Sequence, residues 1–256
     1  MPLGQRQAKV VVGSGWWSAG IRSKWNKGDD LTRSPAFFAL WHRQVLKSLD
    51  PSVILVTDSS SPNKPEWQRF DRVRWLELDR NYGHANDIRI GLSKTKFAGH
   101  TRAELMGALY ALCCDADYFV YVEQDCLLKG EDFLAQAIGD QEFDFFCGQR
   151  TVGGRSFDGG IAAPMLQESV LVMNRRGIEN FLSRIIAVPY SDGDLSPEVR
   201  IEKELVPYGL LQVPYGRSRP IDFCRSHFYV QHLTREELLG FLQAERLTFS
   251  DWFAAS

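Results

Sequence analysis

The sequence has no long hydrophobic run. None of its apolar stretches reaches the ~18 residues that a membrane-spanning helix needs. The N-terminal stretch MPLGQRQAK also lacks the apolar core of a secretory signal. We therefore expect a cytoplasmic protein without a transmembrane segment, and a peripheral contact with the cytoplasmic face of a membrane remains an open alternative.

A strong charge imbalance and a paired set of cysteines are also missing. The 30 Lys and Arg residues are balanced by 32 Asp and Glu residues, which gives a formal net charge of -2. Without an overall positive field we expect no nucleic acid partner. The five cysteines are an odd number, which argues against a disulfide framework and for a reducing compartment.

Internal repeats, low-complexity tracts and a linker are absent as well, so we interpret residues 1–256 as one domain. Within it, β-rich runs alternate with segments of helical periodicity. Strands are predicted at 8–17, 52–58, 72–79, 118–122, 142–150, 167–174 and 209–215. Helices are predicted at 34–50, 100–117, 177–186, 196–206 and from 234 onward. This alternation predicts an α/β fold with a mostly parallel sheet and helices on both faces.

Two acids stand where the predicted strand 118–122 ends. Glu123 and Asp125 are separated by one residue, and side chains at positions i and i+2 of a strand lie on one side of it. Carboxylate oxygens are the ligands that Mg²⁺ and Mn²⁺ prefer, and these ions bridge to substrate phosphates. We therefore hypothesise a divalent metal site at this edge of the sheet, where Asp58 ends another predicted strand. The alternative is that the strand reaches the surface and the acids are solvated.

The order of these segments resembles that of nucleotide-sugar glycosyltransferases of the GT-A fold. In that family a strand, a segment of the form N-x-G-x-x-x-A-R-N-x-G, a helix, another strand and D-x-D follow one another. The corresponding segments here are VILVTDSSS, RNYGHANDIRIGL, TRAELMGALYALCCDADY and FVYVEQDC. Two differences are that Glu123 replaces the first Asp of D-x-D and that NDIRIG replaces the A-R-N part.

The resemblance spans roughly residues 8–235 and implies a GT-A, Rossmann-like mixed sheet. The nucleotide-sugar half would cover about 8–130 and the acceptor half about 131–235, with a helical tail at about 234–256. A divalent ion, Mn²⁺ or Mg²⁺, would be held by Glu123, Asp125 and His232. The nucleotide sugar would be bound by Asp58, Asn81, Gly83, Arg102 and Gln124. The catalytic base would be Glu198, near the start of the helix after Ser196, which implies an inverting reaction.

Each of these roles has a structural alternative. Asp58 and Asn81 are also ordinary turn residues, and Glu198 also suits a helix N-terminus through the helix dipole. Arg102 follows Thr101, a predicted N-cap, and a cation is not favoured in the first turn of a helix. We therefore interpret Arg102 as an anion-binding residue, with a surface salt bridge as the alternative.

Other residues remain candidates for the same roles. Asp194 and Glu168 are rivals of Glu198 as the base, and His227 is the rival of His232. The polar stretch 189–198 is predicted to be a mobile loop that could serve as a lid. The basic segments 22–30 and 216–220 are interpreted as solvated loops, with a diphosphate contact as the alternative for the second, which holds Arg217 and Arg219.

The predicted activity is transfer of a sugar from a UDP, GDP or dTDP donor to a hydroxyl of a glycan or lipid-linked glycan acceptor. One alternative is a sugar-phosphate nucleotidyltransferase, which shares a similar sheet. That class needs a glycine-rich loop with Lys or Arg directly after the first strand, and GSGWWSAGIRSKW matches it poorly. The second alternative is a glycan- or nucleotide-binding module without catalytic activity.

Overall fold

The computed structural model describes residues 8–19, 28–149 and 166–253. The strands in these ranges are β1 Val10–Trp16, β2 Val53–Asp58, β3 Val73–Glu77, β4 Tyr118–Val122, β5 Cys126–Lys129, β6 Phe145–Gln149, β7 Leu166–Asn174, β8 Gly209–Leu210, β9 Tyr215–Gly216 and β10 Phe228–Gln231. The helices are α1 Pro35–Leu49, α2 Ala85–Arg89, α3 Gly99–Cys113, α4 Phe133–Ile138, α5 Arg175–Ala187, α6 Pro197–Glu204, α7 Arg235–Ala244 and α8 Ser250–Phe253. None of these helices is long and apolar enough to cross a bilayer.

A seven-stranded sheet forms the centre of the fold, in the order β3-β2-β1-β4-β7-β6-β8. The four strands from β3 to β4 are parallel, β7 runs antiparallel to both of its neighbours, and β8 is parallel to β6. Apolar residues pack on both faces of this sheet. Successive side chains of β1 alternate between the faces, so Val10 and Val12 belong to one hydrophobic cluster and Val11 to the other. The predicted mixed, mostly parallel α/β class is confirmed.

Helix α1 begins where the sequence predicts it. The Ser34 hydroxyl accepts a hydrogen bond from the backbone N–H of Phe37 at 3.1 Å, and Pro35 occupies the first helical position. Both features favour a helix start, because a Ser cap satisfies a free N–H and proline needs no N–H partner there. A 3₁₀ helix, Asp30–Arg33, directly precedes this cap.

A second sheet of three strands, in the order β5-β10-β9, was not predicted. Strands β5 and β10 are short and apolar, with four residues each. The predicted strand 209–215 is wrong as a single element, because its residues are divided between β8 in the large sheet and β9 in the small one. A four-residue apolar run carries too little periodicity to be distinguished from a loop.

Helix α3 lies unusually close to β1 because two glycines face each other. A Cβ atom added at Gly107 would lie 2.6 Å from Cζ of Phe119, and one added at Gly13 would lie 2.6 Å from Cε2 of the same ring. The Phe119 side chain is fully buried. Glycine at both positions is therefore required for the distance between this helix and the sheet.

We predict that Gly107→Ala destabilises the protein. Alanine favours a helix over glycine by up to about 1 kcal/mol, but overpacking against Phe119 costs about 1 to 3 kcal/mol. Chemical denaturation should therefore show a lower free energy of unfolding. In the control Leu109→Ala, on the exposed side of the same helix, the change should stay within about 0.5 kcal/mol. A Gly107→Ala protein more stable than the wild type would contradict this packing argument.

Candidate functional site

The candidate site lies at the carboxyl ends of β1, β2 and β4. Trp16, the last residue of β1, is in register with Asp58, the last residue of β2. Gln124 follows β4 and exchanges two hydrogen bonds with the backbone of Trp17: it accepts from the N–H at 2.7 Å and donates to the carbonyl at 2.9 Å. Gln124, predicted to bind the nucleotide sugar, thereby fastens the segments that follow β1 and β4 to each other.

The acids of the E-x-D motif do not lie side by side on a strand, as the sequence analysis expected. Strand β4 ends at Val122, and residues 123–125 form a turn in which the N–H of Cys126 donates to the carbonyl of Glu123 at 3.0 Å. The two carboxylates therefore enter different surroundings. Asp125 faces Arg33, whereas Glu123 faces His100.

Asp125 is fully buried and is held by three groups. Its Oδ2 accepts a hydrogen bond from the Arg33 guanidinium at 2.7 Å, and its Oδ1 accepts one from the Gln231 amide at 3.0 Å. His232 Nε2 lies 3.9 Å from Oδ2. Burial alone would raise the pKa of Asp125, but the charges of Arg33, His232 and Arg217 outweigh it and lower that pKa. Asp125 is thus a carboxylate kept in its charged form.

Gln231 and His232 reach the same carboxylate although they are neighbours in the chain. Adjacent residues of a strand normally point to opposite faces. His232, directly after β10, has a φ of 57°, in the left-handed region. This turn of the backbone brings the His232 ring to the side on which Gln231 already lies.

Arg33 was not predicted from the sequence as a residue of the site. It is the last residue of the 3₁₀ helix before α1, and its side chain is 24% exposed. Its Nε is buried and finds no hydrogen-bond partner within the part of the chain that the structure describes. One side of this guanidinium is therefore paired with Asp125, and its Nε–H can still donate a hydrogen bond.

Arg217 is the second cation of the site. Its Nε donates to Gln231 at 2.8 Å, and its backbone N–H donates to Gln167 at 2.9 Å. Its NH1 lies 3.9 Å from a carboxylate oxygen of Glu198. Burial alone would lower the pKa of Arg217, but the charges of Glu123, Glu198 and other acids outweigh it and raise that pKa. The segment 216–220, interpreted from sequence as a solvated loop, thus places one arginine in the site.

Glu198 lies in the first turn of α6, as predicted, after Ser196 and Pro197. The Ser196 side chain makes no capping hydrogen bond. The Glu198 side chain is 20% exposed. Its closeness to Arg217 places it within the same group of charges as Asp125.

A second cluster surrounds His100, the second residue of α3. His100 Nε2 lies 3.0 Å from Glu168 Oε2 and 3.2 Å from Glu104 Oε1. Its other ring nitrogen, Nδ1, lies 3.2 Å from the Tyr121 hydroxyl and 3.4 Å from Glu123 Oε1. We call His100, Glu104 and Glu168 the histidine–glutamate cluster. Glu168, a predicted rival for the base, belongs to it.

The ionisable groups around His100 have shifted pKa values because they are buried close to one another. It raises the pKa of Glu168, and the charge of Glu104 raises it further. Burial likewise raises the pKa of Glu123. Burial alone would lower the pKa of His100, but Tyr121 and the surrounding glutamates raise it well above its usual value. Three acids and one imidazole thus share a space with little water.

Glu123, Asp125 and His232, which were predicted to hold a metal ion, are not arranged to bind one. Both oxygens of Asp125 already accept hydrogen bonds, one of them from a cation. Glu123 is turned toward His100. Among the residues described, the histidine–glutamate cluster is the one group of three or more His, Cys, Asp or Glu side chains whose ligand atoms lie within 4.8 Å of one another. No catalytic step is therefore assigned to a metal at Asp125.

Asp58 is fully buried at the end of β2. It accepts a hydrogen bond from the N–H of Ser61 at 2.9 Å, and Lys64 Nζ lies 3.2 Å from its other oxygen. Trp75 Nε1 donates to that oxygen at 3.4 Å. Burial raises the pKa of Asp58, although these partners lower it in part. Asp58 thus orders the turn after β2, the alternative role that its sequence context allowed.

Asn81, Gly83 and Arg102 form a group beside the start of α3. The Asn81 side chain accepts a hydrogen bond from the N–H of Gly83 at 2.8 Å, and the Gly83 carbonyl accepts one from Gly99 at 3.1 Å. The Arg102 guanidinium lies over the Tyr82 ring, 3.6 Å from its centroid. Gly83 has a φ of 72°, which glycine adopts without strain. These residues shape one loop.

Arg102 is the fourth residue of α3 and does not directly follow the N-cap, as was predicted. Helix α3 begins at Gly99 with Ala98 as the N-cap, and Thr101 is a buried residue inside the helix. Arg102 Nε donates to the Phe97 carbonyl at 3.0 Å, and its NH2 donates to Thr95 at 2.7 Å. The prediction of Thr101 as N-cap was wrong. The helix begins two residues earlier, where the Gly83 carbonyl of the preceding loop accepts the N–H of Gly99.

The remaining candidates lie in three places. Asp194 accepts two hydrogen bonds from Ser191, from its N–H at 2.8 Å and from its hydroxyl at 2.7 Å. The loop that contains it is tied to α6 by a buried ion pair between Asp192 and Arg200. His227 Nε2 lies 2.6 Å from the carbonyl of Glu131. The basic segment 22–30 lies outside the described residues as far as residue 27.

No protein-family model and no curated protein matches the sequence. Among solved structures, a protein described as a glucose-1-phosphate thymidylyltransferase of Bacillus anthracis, in complex with sucrose, is similar with a TM-score of 0.50 at 10% identity, over 94% of this chain and 96% of that one. Residues 1–349 of TarS of S. aureus with UDP are similar with a TM-score of 0.47 at 12% identity, over 93% of this chain and 63% of that one. A glycosyltransferase involved in glycosylation of the major capsid of PBCV-1 gives 0.47 at 8% identity, over 87% and 94%. The chain thus has a GT-A-like mixed α/β fold.

We predict that Arg33→Gln lowers the free energy of unfolding by about 3 kcal/mol, because it leaves Asp125 charged and buried without its cation. The double variant Arg33→Gln with Asp125→Asn should recover most of this loss, since the charge is removed as well. Urea denaturation of both variants and of Asp125→Asn completes the thermodynamic cycle. Additive effects of the two substitutions would contradict a coupled pair.

We predict opposite pH dependences for two aspartates. The pKa of Asp58 is raised above 3.8 in the folded state, so its ionisation destabilises the fold as pH rises through that range. The unfolding free energy of Asp58→Asn relative to the wild type should therefore increase between about pH 3.5 and 7. In the exposed Asp79 a hydrogen bond from Tyr82 lowers the pKa, so Asp79→Asn should show the reverse trend. The same sign for both variants would refute the assignment.

Proposed function

We propose that this protein transfers a sugar from a nucleoside diphosphate donor to a hydroxyl group of a glycan or lipid-linked glycan. The observation that carries the proposal is the convergence of Arg33, Arg217 and His232 around Asp125 at the carboxyl end of β4. Ligands of open α/β sheets bind in the crevice at this edge. A site that gathers cations there suits an anionic leaving group such as a nucleoside diphosphate.

In this proposal the two arginines stabilise the leaving diphosphate. The bond between the anomeric carbon and the diphosphate oxygen breaks in the reaction, and negative charge develops on that oxygen. Guanidinium groups present several donors in a plane and bind phosphate oxygens in pairs. Arg33 is one-quarter exposed and Arg217 one-third exposed, so both remain accessible from the crevice. Donors fixed in advance stabilise developing charge without reorganisation.

Glu198 is the proposed base. As the acceptor hydroxyl forms its bond to the anomeric carbon, its proton passes to the Glu198 carboxylate. The start of α6 holds this side chain, and its oxygen lies 3.9 Å from Arg217. Attack from the side opposite to the leaving diphosphate inverts the anomeric centre. The rival acids have other partners: Asp194 accepts hydrogen bonds from Ser191, and Glu168 faces His100.

The nucleoside is proposed to bind along the turns after β1 and β2. Asp58 and Gln124 order these turns through hydrogen bonds to backbone groups. The loop of Asn81 and Gly83 adjoins the start of α3. UDP, GDP and dTDP remain the donor nucleotides to be compared, because a uracil, guanine or thymine imide offers donors and acceptors to such turns.

A nucleotidyltransferase is the second candidate, because the thymidylyltransferase structure covers 94% of this chain. That reaction releases pyrophosphate from a nucleoside triphosphate. In the segment GSGWWSAGIRSKW that begins within β1, the first basic residue, Arg22, does not directly follow the strand, which ends at Trp16. The two arginines of the site come instead from the segments before α1 and after β9. This distribution of charge favours the sugar transferase.

Calorimetry with UDP, GDP and dTDP, followed by assays of nucleotide-sugar turnover, tests the proposal. We expect binding of one diphosphate and release of that diphosphate from its sugar donor. Pyrophosphate release from a nucleoside triphosphate would favour the nucleotidyltransferase. Binding without any turnover would favour a module without catalytic activity.

We predict that Arg217→Gln lowers kcat for release of the nucleoside diphosphate by about 10² to 10³, because one donor to the leaving group is lost. Glu198→Gln should lower transfer to the acceptor by about 10² to 10⁴. The matched controls are Arg225→Gln, an exposed arginine of the same region, and Glu202→Gln, one turn further along α6. Both should keep wild-type rates. Equal losses in a variant and its control would refute the assigned roles.

A further inference from the structure

The histidine–glutamate cluster has the dimensions of a metal site. The distances from His100 Nε2 to the nearest oxygens of Glu168 and Glu104 are 3.0 and 3.2 Å, and all three ligand atoms lie within 4.8 Å of one another. Bonds of about 2.0 to 2.2 Å to a metal ion separate neighbouring ligands by about 3 Å. One ion can therefore contact all three side chains with only small rotations of each.

Buried oxygens in the cluster lack partners, which is a separate observation. Glu104 is fully buried, and neither of its carboxylate oxygens accepts a hydrogen bond from any residue that the structure describes. Oε1 of the buried Glu168 likewise accepts no hydrogen bond from the residues that the structure describes. Buried polar groups in proteins are nearly always paired. Three oxygens on two carboxylates thus have no hydrogen-bond partner within those residues and have room for one.

The negative charge of the glutamates in this cluster favours binding of a cation. Glu104 and Glu168 meet at one imidazole, and Glu123 approaches that imidazole from its other side. Burying a carboxylate without a partner is strongly unfavourable. A divalent cation between Glu104 and Glu168 offsets both charges at once, which one imidazole cannot do.

The surroundings of His100 match those of metal-binding histidines. Such a histidine donates its second ring N–H to a carboxylate or another acceptor, which fixes the ring and its tautomer. His100 Nδ1 faces Glu123 Oε1 at 3.4 Å and the Tyr121 hydroxyl at 3.2 Å. Nε2 is thereby left to point toward Glu104 and Glu168. The His100 side chain is 24% exposed, which provides a path for an ion to enter.

We propose that His100, Glu104 and Glu168 bind one divalent first-row transition ion, such as Mn²⁺ or Zn²⁺. An imidazole together with carboxylates favours these ions over Mg²⁺ and Ca²⁺, which prefer oxygen ligands alone. Glu123, predicted from sequence to be a ligand, acts here on the far side of His100 and positions the ring. Asp125 and His232 take no part. The inference does not rest on the proposed function, because it concerns metal binding alone.

Calorimetry on the full chain, freed of metal with EDTA, tests the site with Mn²⁺, Zn²⁺ and Mg²⁺ as separate probes. We expect one equivalent of Mn²⁺ or Zn²⁺ to bind at least about 10-fold more tightly than Mg²⁺. Glu104→Gln and His100→Gln should each weaken that binding at least about 10-fold. The exposed control Glu142→Gln should bind within about 2-fold of the wild type. Asp125→Asn removes no proposed ligand, so it should still bind one equivalent.

Two further measurements separate loss of a ligand from loss of the fold. Without metal, Glu104→Gln should melt at or above the wild-type temperature, because it removes a buried charge. Electron spin echo spectra of the Mn²⁺ protein should show histidine nitrogen coupling that His100→Gln abolishes. The proposal is overturned if Mn²⁺ and Zn²⁺ fail to bind, if Asp125→Asn rather than Glu104→Gln removes the binding, or if no nitrogen coupling is seen.

Discussion

The ion pair between Arg33 and Asp125 is the interaction on which the arrangement of the crevice depends. It joins the segment before α1 to the turn after β4, and Gln231 adds the end of β10 to the same carboxylate. A carboxylate as buried as Asp125 is stable only with partners of this kind. Segments 92 and 106 residues from Asp125 in the chain therefore have their positions set by one side chain. The crevice walls are fixed by electrostatics as well as by packing.

The two acids of one short motif serve opposite charge environments. Cations surround Asp125 and lower its pKa, whereas burial raises the pKa of Glu123 beside His100. The turn at residues 123–125 separates them. One side of the crevice is thus suited to anions, through Arg33 and Arg217. The other side holds an excess of buried carboxylates, which suits a cation.

The sequence predicted the parts of the site that depend on local pattern. Alternating elements placed Asp58 and Asp125 at one edge of the sheet, and a Ser-Pro helix start placed Glu198. The sequence did not predict Arg33 or the histidine–glutamate cluster, because their partners are far away in the chain. His100 and Glu104 look like an ordinary helical i, i+4 pair until β7 brings Glu168 against them. Short apolar strands such as β5 and β10 likewise acquire their pairing only from tertiary contacts.

The left-handed backbone at His232 has a consequence for how this crevice can vary. Residues at such a φ are seldom β-branched, since a branched Cβ clashes with the backbone there. Position 232 is therefore constrained twice, by its conformation and by the carboxylate that its ring approaches at 3.9 Å. Asparagine and glycine satisfy the first constraint, but neither carries an imidazole. Histidine meets both constraints. His232 therefore determines both the backbone turn after β10 and the polarity of the crevice beside Asp125.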